Sequence, residues 1–139
     1  MVYLTKKVHF SASHVLKNPE LSAQENQRIF GKKASPHGHN YTLEVTIRGE
    51  PNRETGFFLN FDRFAETIEE KILKQVNYKH LEAGSSMMKG MNPTAENLVK
   101  IFWETLETAF PKGALYEIKL QQMDSETVTY RGEDESSQH

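Results

Sequence analysis

Cysteine is absent from the 139-residue sequence, which excludes disulfides, thiolate metal ligands and a cysteine nucleophile or base within it. The sequence also lacks an apolar run of about 18 residues and a signal-peptide pattern, so we expect a cytoplasmic protein that does not bind membranes. Its 17 basic and 19 acidic residues give a net charge of -2, too balanced to attract nucleic acid. The length favours a single domain, which we place at 1–131, followed by a flexible tail at 132–139.

Two histidines stand two residues apart where a predicted strand begins. After His37 and His39, apolar and polar residues alternate from Tyr41 to Arg48. Side chains two apart in a strand point the same way, so both imidazoles extend the apolar face. The first predicted strand, 3–14, ends its own apolar face on His14. Three imidazoles converging from two strand ends suit a catalytic zinc with an open position; the alternative is three ordinary buried or surface histidines.

The remaining periodicity predicts the element order β-β-β-α-α-β-β. A turn-rich link at 49–56 precedes a predicted hairpin strand at 57–61, and later strands follow at 116–122 and 127–131. One helix runs to Val76 after a cap at Asn60 or Asp62, and another begins at Asn92-Pro93 with proline in the first helical position. Long loops are expected at 15–36 and 77–91. Separate runs of strands and helices predict an α+β fold, with an antiparallel sheet covered on one face by two helices.

Several motifs, in the right order along nearly the whole chain, resemble the signature of the 6-pyruvoyl-tetrahydropterin synthase family. That family also includes the 6-carboxytetrahydropterin synthases of queuosine synthesis. The motifs are Phe10-Ser11-Ala12-Ser13-His14, Glu25-Asn26, Phe30-Gly31-Lys32, His37-Gly38-His39-Asn40-Tyr41, Thr55-Gly56, Pro93-Thr94-Ala95-Glu96-Asn97 and Tyr130-Arg131-Gly132-Glu133.

The resemblance implies the tunnelling fold, here a four-stranded antiparallel sheet with two helices on one face. Subunits of this fold join their sheets into barrels, typically as a hexamer of two trimers with active sites at subunit interfaces. The resemblance gives the role of Zn²⁺ ligand to His14, His37 and His39. It gives a substrate-binding role to Thr94, Glu96 and Gln122, although Glu96 also suits the positive end of a helix dipole.

The chemistry implied by the resemblance is the loss of triphosphate from dihydroneopterin triphosphate. Zinc polarises the side-chain hydroxyls, and a cysteine base is helped by an Asp-His pair. This sequence departs at each of these places: Lys33 stands for the cysteine, Asn77-Tyr78 for the Asp-His pair, and Gln122 for a pterin-clasping glutamate. Lys33 is a candidate base, the alternative being a solvated lysine on a loop. His80 is a second candidate, the alternative being an exposed histidine.

These observations predict a zinc-dependent pterin-site protein, a carbon–oxygen lyase acting on 7,8-dihydroneopterin triphosphate or a related pterin in tetrahydrobiopterin biosynthesis. One alternative is an enzyme similar to the 6-carboxytetrahydropterin synthases of queuosine biosynthesis. The other is a catalytically silent paralogue that binds a pterin or only assembles. The sequence leaves the three open.

Overall fold

A five-stranded sheet carries the fold. Its strands are β1 (Val2–His14), β2 (His37–Gly49), β3 (Lys79–His80), β4 (Leu115–Met123) and β5 (Glu126–Tyr130). They lie in the order β3-β1-β2-β4-β5, and neighbours are antiparallel except β3, which pairs parallel with β1. The structure, a computed structural model, describes residues 1–34, 37–81, 86–88 and 90–133, leaving aside the Met123 side chain.

The helices are α1 (Ala23–Phe30), α2 (Phe61–Ile68), α3 (Lys74–Val76) and α4 (Ala95–Glu107). A π-helical segment, Glu69–Leu73, joins α2 directly to α3, and 3₁₀ turns lie at Gly31–Ala34 and Ser86–Met88. The predicted α+β class is confirmed, with five strands instead of the four expected. Among the described residues, no helix is both long enough and apolar enough to cross a bilayer.

The core lies between one face of the sheet and the helices. Leu43, Val45 and Ile47 of β2 are fully buried, as the alternation of that strand predicts. They share one cluster with side chains of the other strands and of the helices, including Ile68 of α2 and Phe102 of α4. This arrangement leaves the polar side chains of β1 and β2 on the other face.

The prediction of a hairpin strand at 57–61 is wrong. β2 pairs with β1 on one side and with β4 on the other, so neither of its edges is open to that segment. The link instead closes on itself, where the N–H of Asn52 donates to the carbonyl of Phe57 at 2.8 Å. Asn60 Oδ1 then accepts from the N–H of Arg63 at 3.1 Å, and this cap starts α2 at Phe61.

The apolar spacing of the helix predicted to end at Val76 predicts a buried stripe of Phe61, Ala65, Ile68, Ile72 and Val76, and the structure buries a slightly different one. Phe61 is 52% exposed, whereas Phe64, Ile68, Ile72 and Val76 are buried. A uniform spacing of four would drift around a regular helix by about 40° at each step, because a turn holds about 3.6 residues. The wider π-helical segment takes up this drift and keeps the stripe against the sheet.

Two further local expectations are corrected. Thr94, and not Asn92, caps α4: its Oγ1 accepts from the N–H of Asn97 at 3.2 Å, so Pro93 precedes the cap and does not take the first helical position. Strict alternation along the predicted strand 116–122 places Tyr116 on the apolar face with Ile118 and Leu120, but its ring centroid lies 4.8 Å from that of Tyr3 on the opposite face. A bulge causes the change, since Leu115 takes the pairing position opposite Ile47.

The two predicted loops contain short elements. The segment 15–36 holds α1 and a 3₁₀ turn, and the segment 77–91 holds β3 and a second 3₁₀ turn. Residues 35–36, 82–85, 89 and 134–139 lie outside the described part, and they include most of the predicted tail. At the beginning of that tail, the hydroxyl of Tyr130 donates to Glu133 Oε1 at 2.9 Å.

Replacing Asn60 by alanine is expected to lower the free energy of unfolding by about 0.5–2 kcal/mol, because the first turn of α2 loses its side-chain acceptor. Asn60→Asp keeps an acceptor oxygen and should stay close to the wild type. Urea denaturation measures both variants. Equal stability of Asn60→Ala and the wild type would show that the cap does not hold α2.

Candidate metal centre

Three histidines meet where β1 ends and β2 begins. The pairing of these strands sets His14 opposite His37 and Ala12 opposite His39. One ring nitrogen from each histidine lies within 4.8 Å of those of the other two. The structure therefore brings together the three residues that the alternation of the two strands placed on one face.

The imidazole of His14 is buried and kept neutral. Burial is the main cause that lowers its pKa from 6.5 to about 4, and electrostatic interactions with His37, His39, Lys33 and His80 lower it further. The pKa of His39 is also lowered, first by burial and then by His37 and Lys33. Neutral imidazoles keep the lone pairs that metal coordination requires.

A buried tyrosine orients His14 from behind. The hydroxyl of Tyr41 lies 3.0 Å from His14 Nδ1, and its ring stacks on Phe10 with centroids 4.6 Å apart. Burial raises the pKa of Tyr41, so the group remains a neutral phenol. Because Nδ1 is engaged by the hydroxyl, Nε2 of His14 is the nitrogen left for a ligand, the usual arrangement around histidine ligands.

The donor set fits a zinc ion. Among the described residues, the Nε2 atom of His39 is buried and has no hydrogen-bond partner. Such an atom costs about 1–3 kcal/mol when nothing satisfies it. Three clustered imidazoles are a donor set of the kind that binds catalytic zinc in proteins.

An open cavity of about 510 Å³ adjoins this cluster. It shares His39 with the cluster and borders the end of β3. Its size falls within the range of small-molecule sites, about 300–1,000 Å³. The lining residues are Ser11, Ala12, Ser13, Gly38, His39, Asn40, Tyr78, Lys79 and His80.

Comparison with known proteins identifies the family of this chain. The family model described as 6-pyruvoyl tetrahydropterin synthase matches residues 3–133. The chain belongs to the 6-pyruvoyl tetrahydropterin synthase family. A 6-pyruvoyl tetrahydrobiopterin synthase of Dictyostelium discoideum is 40% identical over 134 residues, which cover 95% of this chain and 97% of that protein. One from Drosophila melanogaster is 37% identical over 135 residues, covering 95% and 80%.

A solved structure of the family agrees with the fold. The 6-pyruvoyl tetrahydropterin synthase of Caenorhabditis elegans matches with a TM-score of 0.86 at 27% identity, covering 95% of this chain and 96% of that one. The tunnelling fold expected from the motifs is therefore confirmed. The names of the two relatives, 6-pyruvoyl tetrahydrobiopterin synthases, assign those proteins to tetrahydrobiopterin synthesis.

The other predicted site residues are more widely spread. Lys33 is exposed on a 3₁₀ turn, close enough for its charge to lower the pKa of His14 and His39. His80 lines the cavity. Thr94 caps α4, and Glu96 is exposed in the first turn of that helix. Gln122 lies where the pairing of β4 with β5 is irregular, and the lining of the cavity includes none of Lys33, Thr94, Glu96 and Gln122.

Asn77, which stands where the resemblance expects an aspartate, holds backbone in place. Its Oδ1 accepts from the N–H of Ser11 at 3.0 Å, and the N–H of Tyr78 donates to the carbonyl of Ser11 at 2.6 Å. Tyr78 adopts φ 60° and exposes 86% of its surface. Reasoning from the sequence missed this contact, and also those of Tyr41 and Ser13, because each depends on a partner far along the chain.

Asn77→Ala is expected to lower the free energy of unfolding by about 1 kcal/mol or more, because the N–H of Ser11 loses its acceptor. Asn77→Asp retains an acceptor oxygen at the same place and should keep most of that stability. Chemical denaturation at neutral pH measures both. If both variants lose the same stability, the hydrogen bond to Ser11 is not the reason.

In the metal-free protein, we expect the free energy of unfolding to fall as the pH drops from 6.5 to about 4. Between those values the unfolded chain binds a proton at His14 that the folded chain does not, so stability is fully present above 6.5 and lost on acidification. The loss attributable to His14 is on the order of 3 kcal/mol.

Denaturation curves with a chelator present, taken across this pH range, test that dependence. His14→Gln should flatten it, while His9→Gln, which changes an exposed histidine, should leave it unchanged. An equally steep dependence in His14→Gln would assign it to other groups.

Proposed function

We propose that this chain is a zinc-dependent carbon–oxygen lyase that eliminates triphosphate from 7,8-dihydroneopterin triphosphate. The observation that carries the proposal is the cluster of His14, His37 and His39, with ring nitrogens within 4.8 Å of one another. The buried Nε2 of His39 and the adjoining cavity support it. So do the names of the relatives, which are 6-pyruvoyl tetrahydrobiopterin synthases.

Each part of the site has a definable task. His14, His37 and His39 would hold a zinc ion, and that ion would supply a Lewis acid beside the cavity. Tyr41 fixes the ring of His14, so that Nε2 keeps its direction. The hydroxyl of Ser11 donates to Asn40 Oδ1 at 2.6 Å, which gives the cavity a polar wall suited to a hydroxylated side chain.

The pterin ring is proposed to bind at the boundary between two copies of this chain. Thr94, Glu96 and Gln122 do not line the cavity of their own chain, so in this proposal they would reach it from a neighbouring copy. This agrees with the hexamer of two trimers that the family resemblance implies. The amide of Gln122 can both accept from a ring amine and donate to a ring carbonyl, whereas Glu96 supplies a negative charge.

A second candidate, a silent pterin-binding paralogue, is favoured by one observation. Asn77 stands where the resemblance implies the aspartate of the Asp-His pair, and its amide oxygen accepts a hydrogen bond from the backbone N–H of Ser11. The next side chain, Tyr78, is almost entirely exposed. In this alternative the three-histidine site and the cavity still bind a pterin, but no proton is transferred and no triphosphate is released.

Purified protein is expected to contain about one zinc ion per chain and to lose it in His37→Ala, because two imidazoles and an open site hold zinc poorly. His9→Ala is the matched control, since His9 is exposed and contacts Thr42 instead of the cluster. Elemental analysis after dialysis reports the metal. Full zinc content in His37→Ala would contradict the assigned ligand set.

Zinc-loaded wild-type protein is expected to release triphosphate from 7,8-dihydroneopterin triphosphate, and His37→Ala is not. Phosphate-chain release and the absorbance of the pterin product measure turnover. Tight pterin binding without any release would overturn the lyase and establish the silent paralogue.

A further inference from the structure

A serine and a histidine form a hydrogen-bonded pair in the wall of the cavity. Ser13 Oγ and His80 Nδ1 lie 2.7 Å apart, and both residues line the cavity together with His39. We propose that His80, oriented by Ser13, is the group that takes up and returns protons during turnover. This inference rests on the proposed function and adds to it the residues that move the proton.

The backbone fixes the position of this pair. β3 pairs parallel with β1, so that Lys79 lies beside Ala12 and His80 beside Ser13. The two hydrogen bonds that Asn77 and Tyr78 make to the backbone of Ser11 bring β3 to this edge. A side chain anchored in this way loses little entropy when it acts on a bound molecule.

Ser13 lies beside the zinc ligands without being one of them. It directly precedes His14, and the alternation of β1 turns its side chain to the other face of the strand. His80 therefore reaches the cavity from the neighbouring strand, while the three-histidine cluster borders the same space through His39. A substrate side chain in the cavity would lie between the two sets of groups.

The proton transfer follows from the chemistry of the substrate. The imidazole of His80, held by Ser13, takes the proton from the hydroxyl-bearing carbon next to the phosphorylated carbon. The electron pair of that C–H bond forms a carbon–carbon double bond, and triphosphate leaves with the pair of the C–O bond. The imidazolium then protonates the terminal carbon of the enol while the enol O–H proton passes to solvent, which gives a ketone and neutral His80.

Two other basic groups are less well placed for this task. Lys33 is exposed and does not line the cavity, although its charge acts on the cluster. His9 also contacts a hydroxyl, with Nδ1 lying 3.1 Å from Thr42 Oγ1, but it is exposed outside the cavity. His9 thus provides a matched histidine–hydroxyl pair for the test.

The test compares variants of the zinc-loaded protein in steady-state triphosphate release. His80→Gln should lower kcat by about 100-fold or more, the usual contribution of a general acid–base group, with KM and zinc content unchanged. Ser13→Ala should lower kcat by a smaller factor, and Ser13→Thr, which keeps the hydroxyl, should restore it. His9→Gln should behave as the wild type.

A second readout follows the proton itself. Because His80 returns the proton that it takes, substrate deuterated at the hydroxyl-bearing carbon should, in ordinary water, carry part of that deuterium into the terminal methyl group of the product, and single-turnover NMR should detect this transfer slowed in His80→Gln. Loss of zinc together with activity in His80→Gln would assign it a structural role and overturn the inference.

The failures of the two proposals are distinct. Triphosphate release that survives in His80→Gln within a few-fold overturns the role of His80 and leaves the lyase standing. A wild-type protein that binds a pterin but releases no triphosphate overturns both. Failure of Ser13→Thr to exceed Ser13→Ala overturns the positioning role of the hydroxyl.

Discussion

The antiparallel register between β1 and β2 determines the whole candidate site. It sets His14 opposite His37, and it sets His39 two residues further along the same face. A slip of one residue would send every side chain of one strand to the other face and separate the three imidazoles. The buried residues Leu43, Val45 and Ile47 oppose such a slip, because it would expose them to water. The same strand register therefore sets both the packing of the core and the geometry of the metal centre.

The side chain of Tyr41 connects the packing of the core with the geometry of the metal centre. Its ring stacks on Phe10 inside the core, and its hydroxyl contacts His14 Nδ1. The polar end of a buried tyrosine needs a partner, and the ligand histidine supplies one. The position of the ring therefore depends on packing, and the direction of the ligand nitrogen depends on the ring. Because paired strands carry all three histidines, their imidazoles stay close together without a ligand. The conformational entropy lost in bringing them together is therefore lost on folding and not on metal binding.

The sequence predicted the parts of the molecule that local periodicity encodes. Alternation placed the three histidines and the buried face of β2, and the motifs indicated the tunnelling fold. The strand expected at 57–61 was wrong because both edges of β2 were already paired, which no local pattern reveals. The face of Tyr116 changed through a bulge that depends on the partner strand. β3 and the contact between Asn77 and Ser11 escaped prediction for the same reason, since each joins segments more than sixty residues apart along the chain.

Asn77 and Tyr78 stand where the resemblance implies the Asp-His pair that helps the base, and this difference also changes the charge of the site. An amide at Asn77 accepts from Ser11 as a carboxylate would, but it brings no negative charge. Among the residues that the structure describes, the cavity lining includes Lys79 and His80 and no carboxylate, and the nearby cluster adds His14 and His37. The ammonium group of Lys79 favours an anion in this cavity, and a triphosphate ester carries several negative charges. The departures are therefore compatible with retention of an anionic substrate, even though they require a different group to move the proton.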